Sequence, residues 1–264
     1  MIGRRILVLS PHPDDEVVGA AAAIRRAQAE GAEIFLLHLT SGVPGPITTW
    51  FWKRVDYPRW VEQRRIEAFA VAKALGVTII GASQRNSRTL KDDLPAVRRE
   101  VLTAINRLNI DRLWVPAYEG GHADHDVANG LAATLSNMIA VGEFAEYNFL
   151  GGRTNVNKFP ILCGHEIVLE LSQKEARSKT ELLGLYASER KNLGYVEVER
   201  ECFRPLVAYN YRRPPHEGLL FYRRFQWVPF RHPRIDLTQP REVCTAITDL
   251  MGQVLERPLD GALC

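Results

Sequence analysis

Apolar residues in the first half of the chain occur in short continuous runs, separated by longer stretches in which polar and apolar residues mix. The runs at 4–10, 33–40 and 111–116 predict buried strands, because strands covered on both faces carry unbroken apolar sequence. The alanine-rich stretch at 15–30 predicts a helix, and Gly31 stands where such a helix commonly ends. A strand, a helix and a strand in this order predict two parallel strands of one sheet.

The same kind of pattern predicts an alternation of helices and strands over most of the chain. We expect helices at 59–75, 94–108, 124–138, 172–187 and 240–256, and further strands at 77–80, 145–150 and 165–171. Ser172 and Glu175 have the spacing of a capping box. These elements predict an α/β fold, a Rossmann-like three-layer sandwich with a mostly parallel sheet. No repeat or linker interrupts them, so we expect a single domain over residues 1–264 that is less regular from about residue 190.

Composition narrows the class of protein. Of the 264 residues, 46% are hydrophobic and 25% are charged, as in ordinary globular proteins, and the net charge is only +3. No long block of like charge exists to grip nucleic acid, so we expect no nucleic-acid partner. No segment approaches the ~20 apolar residues that span a bilayer, so we expect no membrane insertion.

Cysteine usage and the first residues of the chain favour a cytoplasmic location. The cysteines lie far apart and form no C-x-x-C pair, which argues against both a cysteine-ligated zinc site and a disulfide framework. They are Cys163, Cys202, Cys244 and Cys264. The N-terminus lacks the pattern of a secretory signal, because its apolar run is short and is followed by charge.

Two polar clusters follow predicted strands. The first, PHPDDE at residues 11–16, comes directly after the strand at 4–10, and the second, HADH at 122–125, follows the strand at 111–116. Ligands of open parallel sheets bind outside the carboxyl ends of the strands, so both clusters face one site if their strands are near each other. Burying so much charge is costly unless a cation compensates. Together the clusters predict a metal hydrolase.

The residue types in these clusters suit zinc, which takes imidazole and carboxylate ligands and keeps three protein ligands plus water in catalytic sites. Four candidate ligands are present: His12, Asp15, His122 and His125. The spacing leaves open which three bind, and those left over are available for proton transfer. The structural alternative is that the acids at 14–16 favour a helix N-terminus and that Asp124 caps a helix.

With both motifs intact, the chain resembles the LmbE-like, or PIG-L, family of zinc-dependent N-acetylglucosaminyl deacetylases. That family carries (A/P)HPDDE after its first strand and H-x-D-H or H-x-x-H further on, and the likeness extends through the strand and helix order to about residue 138. The resemblance implies the LmbE-like fold and one zinc ion per chain. It also implies hydrolysis of an N-acetyl or other N-acyl group on an amino sugar or a sugar-containing small molecule.

The resemblance further implies a role for each residue of the motifs. Three residues would bind the zinc: His12, Asp15 and His125. Asp14 would be the general base that activates water. His122 would stabilise the oxyanion or protonate the leaving amine, with Asp124 orienting it. Arg64 would contact the substrate, and Glu16 receives no role beyond a favourable place at a helix start.

Two stretches depart from the family pattern, and both bear on the substrate. Residues 80–87 lack the acid that contacts a sugar hydroxyl in many members, and Gly120 and Gly121 precede the second motif where an aromatic residue or proline is common. The glycines predict a more open or more flexible approach to the site. Trp50 and Trp52, in a loop after the second strand, are expected to bind the substrate, with a hydrophobic lid or a subunit contact as the alternative.

Other functions therefore remain open at this point. One is an amidase of the same family that acts on a larger conjugate, and another is a non-catalytic, metal-containing sugar-binding protein. The expected partner is a small N-acylated sugar or glycoconjugate, and a homo-oligomer is compatible with the sequence.

Overall fold

The computed structural model describes residues 3–228, 232 and 235–256, and a central β-sheet organises them. The strands are β1 (Arg5–Ser10), β2 (Glu33–His38), β3 (Thr78–Ala82), β4 (Arg112–Pro116), β5 (Ala140–Ala145), β6 (Tyr147–Asn148), β7 (Asn155–Val156), β8 (Ile167–Glu170) and β9 (Arg200–Pro205). The α-helices are α1 (Asp15–Ala29), α2 (Tyr57–Leu75), α3 (Leu94–Leu108), α4 (Ala123–Ala133), α5 (Gln173–Leu185) and α6 (Pro240–Glu256).

The main sheet has seven strands in the order β3-β2-β1-β4-β5-β9-β8, and β6 and β7 form a separate two-stranded sheet. Strands β1 to β5 pair in parallel, whereas β9 runs antiparallel to both β5 and β8. The expected mostly parallel sheet is confirmed. Because β1 and β4 are neighbours, the polar clusters that follow them emerge side by side at one edge of the sheet.

Helices cover both faces of the sheet, as the alternation of side chains along β1 shows. Ile6 and Val8 point to a core shared with α1 and α2, while Leu7 and Leu9 point to a second core shared with α3, α4 and α6. Helix α1 packs closely against the sheet because many of the residues on its buried face are glycine or alanine. A Cβ on Gly19 would lie 2.2 Å from the Phe144 ring. The expected three-layer sandwich is therefore confirmed.

The structure differs from the expected elements mainly around β5 and β9. The strand expected at 145–150 lies at Ala140–Ala145, and α4 ends at Ala133 rather than at 138. Strand β9 falls in the portion expected to be irregular, yet it belongs to the main sheet. The sequence did not predict this strand because it contains buried charged residues. Glu201 accepts hydrogen bonds from two backbone amides of α1, and Arg204 forms an ion pair with Glu143 of β5.

Two expectations from composition can be compared with the described residues. Cys163, Cys202 and Cys244 are free thiols, and Cys264 lies outside the described residues. None of the described helices combines the length and the apolar character needed to cross a membrane. The expectation of a single domain over residues 1–264 stays a prediction.

Candidate metal and catalytic site

A cavity of about 790 Å³ opens at the carboxyl ends of β1, β4 and β5. His12 and Asp14 enter its wall from the turn after β1, His122 enters from the loop after β4, and Glu146 and Tyr147 follow β5. The two sequence clusters therefore face one site, as the positions of their strands predicted. A third contribution, from the end of β5, was not anticipated.

The imidazoles and the carboxylate expected to bind zinc converge at the cavity floor. His12 Nδ1 lies 3.2 Å from His125 Nε2, which lies 3.2 Å from Asp15 Oδ1. His12 Nδ1 and Asp15 Oδ2 are 3.6 Å apart. A tetrahedral zinc site with bonds of about 2.0–2.1 Å has ligand-to-ligand edges of roughly 3.3 Å. The residues present therefore fit a metal ion of this kind.

The described residues contain two overlapping groups of potential metal ligands, and within each group the ligand atoms lie within 4.8 Å of one another. One contains His12, His122 and His125, and the other contains Asp15, His125 and Glu146. His125 belongs to both groupings and is 1% exposed. A candidate metal-binding triad is thus present, with more donors than one ion requires.

The carboxylate of Asp124 contacts His12 rather than His122. Its Oδ2 lies 3.0 Å from His12 Nε2 and also accepts the Arg88 amide at 2.6 Å, while Oδ1 accepts the Leu90 amide at 3.1 Å. Burial acts to raise the pKa of Asp124, but the hydrogen bond from His12 and the nearby charges hold that pKa below its ordinary value. With Nε2 engaged in this way, His12 turns Nδ1 toward the other ligands. The Asp124 carboxylate therefore orients His12, and any orienting of His122 by this residue comes from its backbone amide.

His122 occupies the N-cap of α4, and its Nδ1 accepts a hydrogen bond from the Asp124 amide at 3.0 Å. An Nδ1 that accepts places the single proton of a neutral imidazole on Nε2. Burial, followed by the neighbouring His12, lowers the pKa of His122 well below its ordinary value and so favours this neutral form. His122 is therefore prepared to donate from Nε2.

The loop before His122 is closely packed rather than open. Gly120 has φ of +72°, and a Cβ on Gly121 would lie 2.3 Å from the Tyr147 carbonyl oxygen. The two glycines thus allow the β4 loop to approach the segment after β5. The more open approach expected from them is not what the structure presents.

Asp14 stands at the N-cap of α1 with φ of 136°, an uncommon value for a residue other than glycine. Its Oδ2 accepts a hydrogen bond from Arg64 Nη2 at 3.0 Å. Burial raises the pKa of Asp14 to about 8, with Arg64 acting against this shift and Asp15 adding to it. A carboxyl group with a pKa near neutrality, in the cavity wall beside the candidate ligands, suits proton transfer.

Arg64 lines the cavity beside Asp14, and its Nε and Nη1 atoms have no hydrogen-bond partner among the described residues. Its side chain is 3% exposed, and its Nη2 also donates to the Pro13 carbonyl. The Nη1 atom lies 3.7 Å from Glu189 Oε1, and the guanidinium lies over the Tyr186 ring. The structure therefore places Arg64 against Asp14, and the substrate contact that the resemblance implied for Arg64 stays a prediction.

Glu16 has structural partners that the sequence did not reveal. It is fully buried, and Oε2 accepts hydrogen bonds from Ser10 Oγ at 2.9 Å and from the Asp14 amide at 3.2 Å. Oε1 accepts the Tyr186 hydroxyl at 2.5 Å. Glu16 thus fixes the turn that carries the first cluster.

Glu146 is a site residue that sequence reasoning missed. It is fully buried in the segment directly after β5, and neither carboxylate oxygen has a hydrogen-bond partner among the described residues. Burial and the nearby acids, Asp15 first among them, raise the pKa of Glu146 well above its ordinary value. The other two clusters were identified because their acids follow the ends of predicted strands. Glu146 gave no such signal, because the strand predicted at 145–150 placed it inside a strand, whereas β5 ends at Ala145.

The two tryptophans expected to bind substrate occupy different positions. Trp50 lines the cavity mouth and packs edge-on against His232. Trp52 stacks on Trp50 with ring centroids 5.2 Å apart and is 57% exposed, but it is not part of the cavity wall. Trp60 also lines the cavity. The mouth is therefore aromatic on the side of this loop.

Comparison with known proteins extends these observations. Residues 7–136 match the model of a family described as PIG-L, GlcNAc-PI de-N-acetylase, which confirms the resemblance indicated by the two motifs. The diacetylchitobiose deacetylase of Thermococcus kodakarensis is 27% identical over 154 residues, which cover 56% of this chain and 55% of that protein. The chain thus matches about half the length of this curated relative.

Solved structures share the fold at low sequence identity. The zinc inhibited form of teicoplanin deacetylase Orf2 matches with a TM-score of 0.59 and 17% identity, covering 78% of this chain and 99% of that chain. The 4-carboxy-2-hydroxymuconate hydratase GalB of Pseudomonas putida matches with a TM-score of 0.52 and 15% identity. This match covers 82% of the present chain and 100% of the GalB chain. Because a deacetylase and a hydratase share this fold, the activity has to be argued from the site.

Proposed function

Residues 7–136 carry a PIG-L family domain, and on that premise we propose that the chain is a zinc-dependent amide hydrolase. Its reaction would remove an N-acetyl or other N-acyl group from an amino sugar or a sugar-containing small molecule. The observation that supports this most directly is the convergence of His12 Nδ1, His125 Nε2 and Asp15 Oδ1 beside Asp14. The arrangement provides ligands and a separate proton acceptor in one cavity.

The chain's own residues divide the chemistry between them. When bound, the cation would polarise the amide carbonyl and acidify water. Asp14, kept in place by Arg64, takes the proton of the attacking water. His122 donates a hydrogen bond from Nε2 to the oxygen on which negative charge develops. The proton that Asp14 has taken from water passes to the nitrogen as the carbon–nitrogen bond breaks, so that the product leaves as a free amine. Asp124 keeps His12 oriented throughout.

The cavity mouth supports a sugar-containing substrate. Trp50 and Trp60 present aromatic faces to the cavity, and such faces suit sugar rings or an apolar group attached to the sugar. The relatives named above are a diacetylchitobiose deacetylase and a teicoplanin deacetylase, both of which fit N-acyl sugar chemistry. We therefore propose that Trp50 contacts the substrate and that Trp52 supports Trp50 from outside the cavity.

An amidase that acts on a larger conjugate is the second candidate, because the exposed Phe51 and Trp52 extend the aromatic surface beyond the cavity. A metal-containing sugar-binding protein is less well supported, since such a protein needs no buried base beside its ligands. The cytoplasmic location and the oligomeric state expected from the sequence stay predictions.

A substrate screen tests the proposal. The purified protein is incubated with N-acetylated amino sugars and their conjugates, and mass spectrometry records loss of the acetyl group. We expect turnover of at least one compound, abolished by a chelator and restored by Zn²⁺. Tight binding of a sugar without turnover, in a zinc-loaded protein, would replace the hydrolase proposal with the binding-protein one.

A further inference from the structure

The two histidines expected to bind the metal differ in what their second ring nitrogen contacts. His12 Nε2 has the Asp124 carboxylate at 3.0 Å. His125 Nδ1 is closed off from solvent and has no hydrogen-bond partner among the described residues. The side chain that faces it is Glu146, whose Oε1 lies 3.8 Å away.

The carboxylate of Glu146, like His125 Nδ1, is buried and lacks a hydrogen-bond partner among the described residues. The residue is fully buried, and both of its carboxylate oxygens are shut off from solvent without a partner among the described residues. Buried carboxylates and buried N–H groups each cost free energy when they are left unpaired. Two unpaired groups that face each other across 3.8 Å need an approach of only about 1 Å to reach hydrogen-bond distance.

The backbone of Glu146 is fixed at both ends. Its amide donates to Glu119 Oε1 at 2.7 Å, and its carbonyl accepts the Asn157 amide at 2.9 Å. The side chain passes over Gly19 of α1, where a Cβ would come within 3.1 Å of Glu146 Cγ. With the backbone held in this way, the carboxylate faces His125.

We propose that Glu146 is the positioning residue for His125 in the metal-bound protein. Its carboxylate accepts the Nδ1 proton of His125, so that the Nε2 lone pair faces the cation in the way that Asp124 turns Nδ1 of His12 inward. The inference rests on the proposed metal-dependent function. It assigns a second carboxylate–histidine pair, contributed by a different strand end from the first.

Zinc affinity measured by competition with a chromophoric chelator tests this role. Glu146→Leu removes the acceptor, and we expect about 10–100-fold weaker Zn²⁺ binding. Glu146→Gln keeps a carbonyl acceptor and should recover part of that loss. Glu143→Gln is the matched control, because Glu143 is a fully buried glutamate on β5 whose partners are Arg204, Asn129 and Tyr209. We expect this control to change stability but not zinc affinity.

A second readout follows the imidazole itself. In ¹⁵N-histidine spectra of the zinc-loaded parent, His125 should show a protonated Nδ1, and this signal should shift in Glu146→Gln and Glu146→Leu but not in Glu143→Gln. Circular dichroism confirms that the variants are folded.

The possible results separate this inference from the function on which it rests. Equal zinc affinity and an unchanged His125 signal in folded Glu146→Leu would overturn the positioning role while leaving the metal site intact. Two zinc equivalents in the parent and one in Glu146→Leu would also overturn it, in favour of Glu146 as a ligand of a second cation. A parent that binds no divalent metal would instead refute the proposed function and this role with it.

Discussion

Replacing Asp14 with asparagine removes the proposed base while keeping the shape of the side chain. Asparagine has nearly the same shape as aspartate, so the φ of 136° at this position should strain it about as much as it strains Asp14. Its amide oxygen can still accept the hydrogen bond from Arg64 Nη2, which lies 3.0 Å from the Asp14 carboxylate. None of the three expected metal ligands is altered. We therefore expect Asp14→Asn to fold and to bind zinc.

The pKa of Asp14 supports the expectation of a stable variant. Burial raises that pKa from 3.8 to about 8 in the metal-free protein, so the folded state holds the proton to a higher pH than the unfolded chain does. This group therefore makes the metal-free parent less stable as the pH rises between about 4 and about 8. Asparagine carries no such proton, so the variant should lack this part of the pH dependence, measurable as the unfolding midpoint against pH.

The effect on the reaction should be large. A positioned general base contributes about 10²–10⁴-fold to the rate, which corresponds to roughly 2.7–5.4 kcal/mol of transition-state stabilisation. We expect kcat of the zinc-loaded variant to fall by that factor with KM little changed. The acid-side fall of kcat/KM, which reflects protonation of the base in the parent, should be absent from the residual activity.

Steady-state kinetics on the substrate found in the screen measures this loss, with zinc content determined on the same samples. Glu189→Gln is the control, because Glu189 Oε1 is the other carboxylate near Arg64, 3.7 Å from Nη1. It should cost far less activity than Asp14→Asn. Parental turnover in a zinc-loaded Asp14→Asn protein would refute the base assignment, and an equal loss in Glu189→Gln would assign the effect to the displaced guanidinium.

Four further predictions concern the metal and the substrate. His125→Ala should lose the metal, and full zinc occupancy by elemental analysis would contradict the ligand set. Asp124→Asn should weaken zinc affinity by about 10–100-fold in chelator competition, because His12 loses the carboxylate on Nε2. Trp50→Ala should raise KM by about 2–10-fold, the equivalent of roughly 0.5–1.5 kcal/mol of aromatic contact, whereas Trp52→Ala should have a smaller effect because Trp52 is not part of the cavity wall. Zinc at ~100 times its Kd should stabilise the chelator-treated protein by about 2.7 kcal/mol, which calorimetry would record as a rise in Tm of roughly 5–10 °C; an unchanged Tm would contradict a site that binds only in the folded state.

The sequence was sufficient for the parallel half of the fold because that half is built from unbroken apolar strands. In β1 and β4 the apolar runs end where the strands end, so both the sheet and the place of the polar clusters followed. Strand β9 was missed because its buried positions include Glu201 and Arg204, which are paired with partners far away in the sequence. Hydrophobic periodicity cannot report a buried strand whose polar groups are satisfied by tertiary contacts.

In the site, too, the residues within short motifs could be predicted from the sequence, whereas contacts between distant segments could not. The candidate ligands lie in two short motifs, and their spacing made them visible. The partners of those ligands depend on how strands meet. Asp124 is two residues from His122 in sequence but bonds His12, and Glu146 faces His125 from the end of a strand whose position the sequence misplaced. Such supporting contacts emerge only from the packed structure.

The environments of the acids around the cavity indicate which of them can change protonation during a reaction. Asp15 accepts a hydrogen bond from the His12 backbone amide at 2.7 Å. Burial acts to raise the pKa of Asp15, but the imidazoles of His125 and His12 hold that pKa well below its ordinary value. Asp124, with two backbone amides and His12 as partners, is held low in the same way. Asp14 has one guanidinium and lies beside Asp15, and burial raises its pKa to about 8. Acids whose pKa values are pushed apart take different roles. Of these three acids, we therefore expect Asp15 and Asp124 to stay ionised and Asp14 to exchange a proton near neutral pH, in line with the general-base role proposed for it.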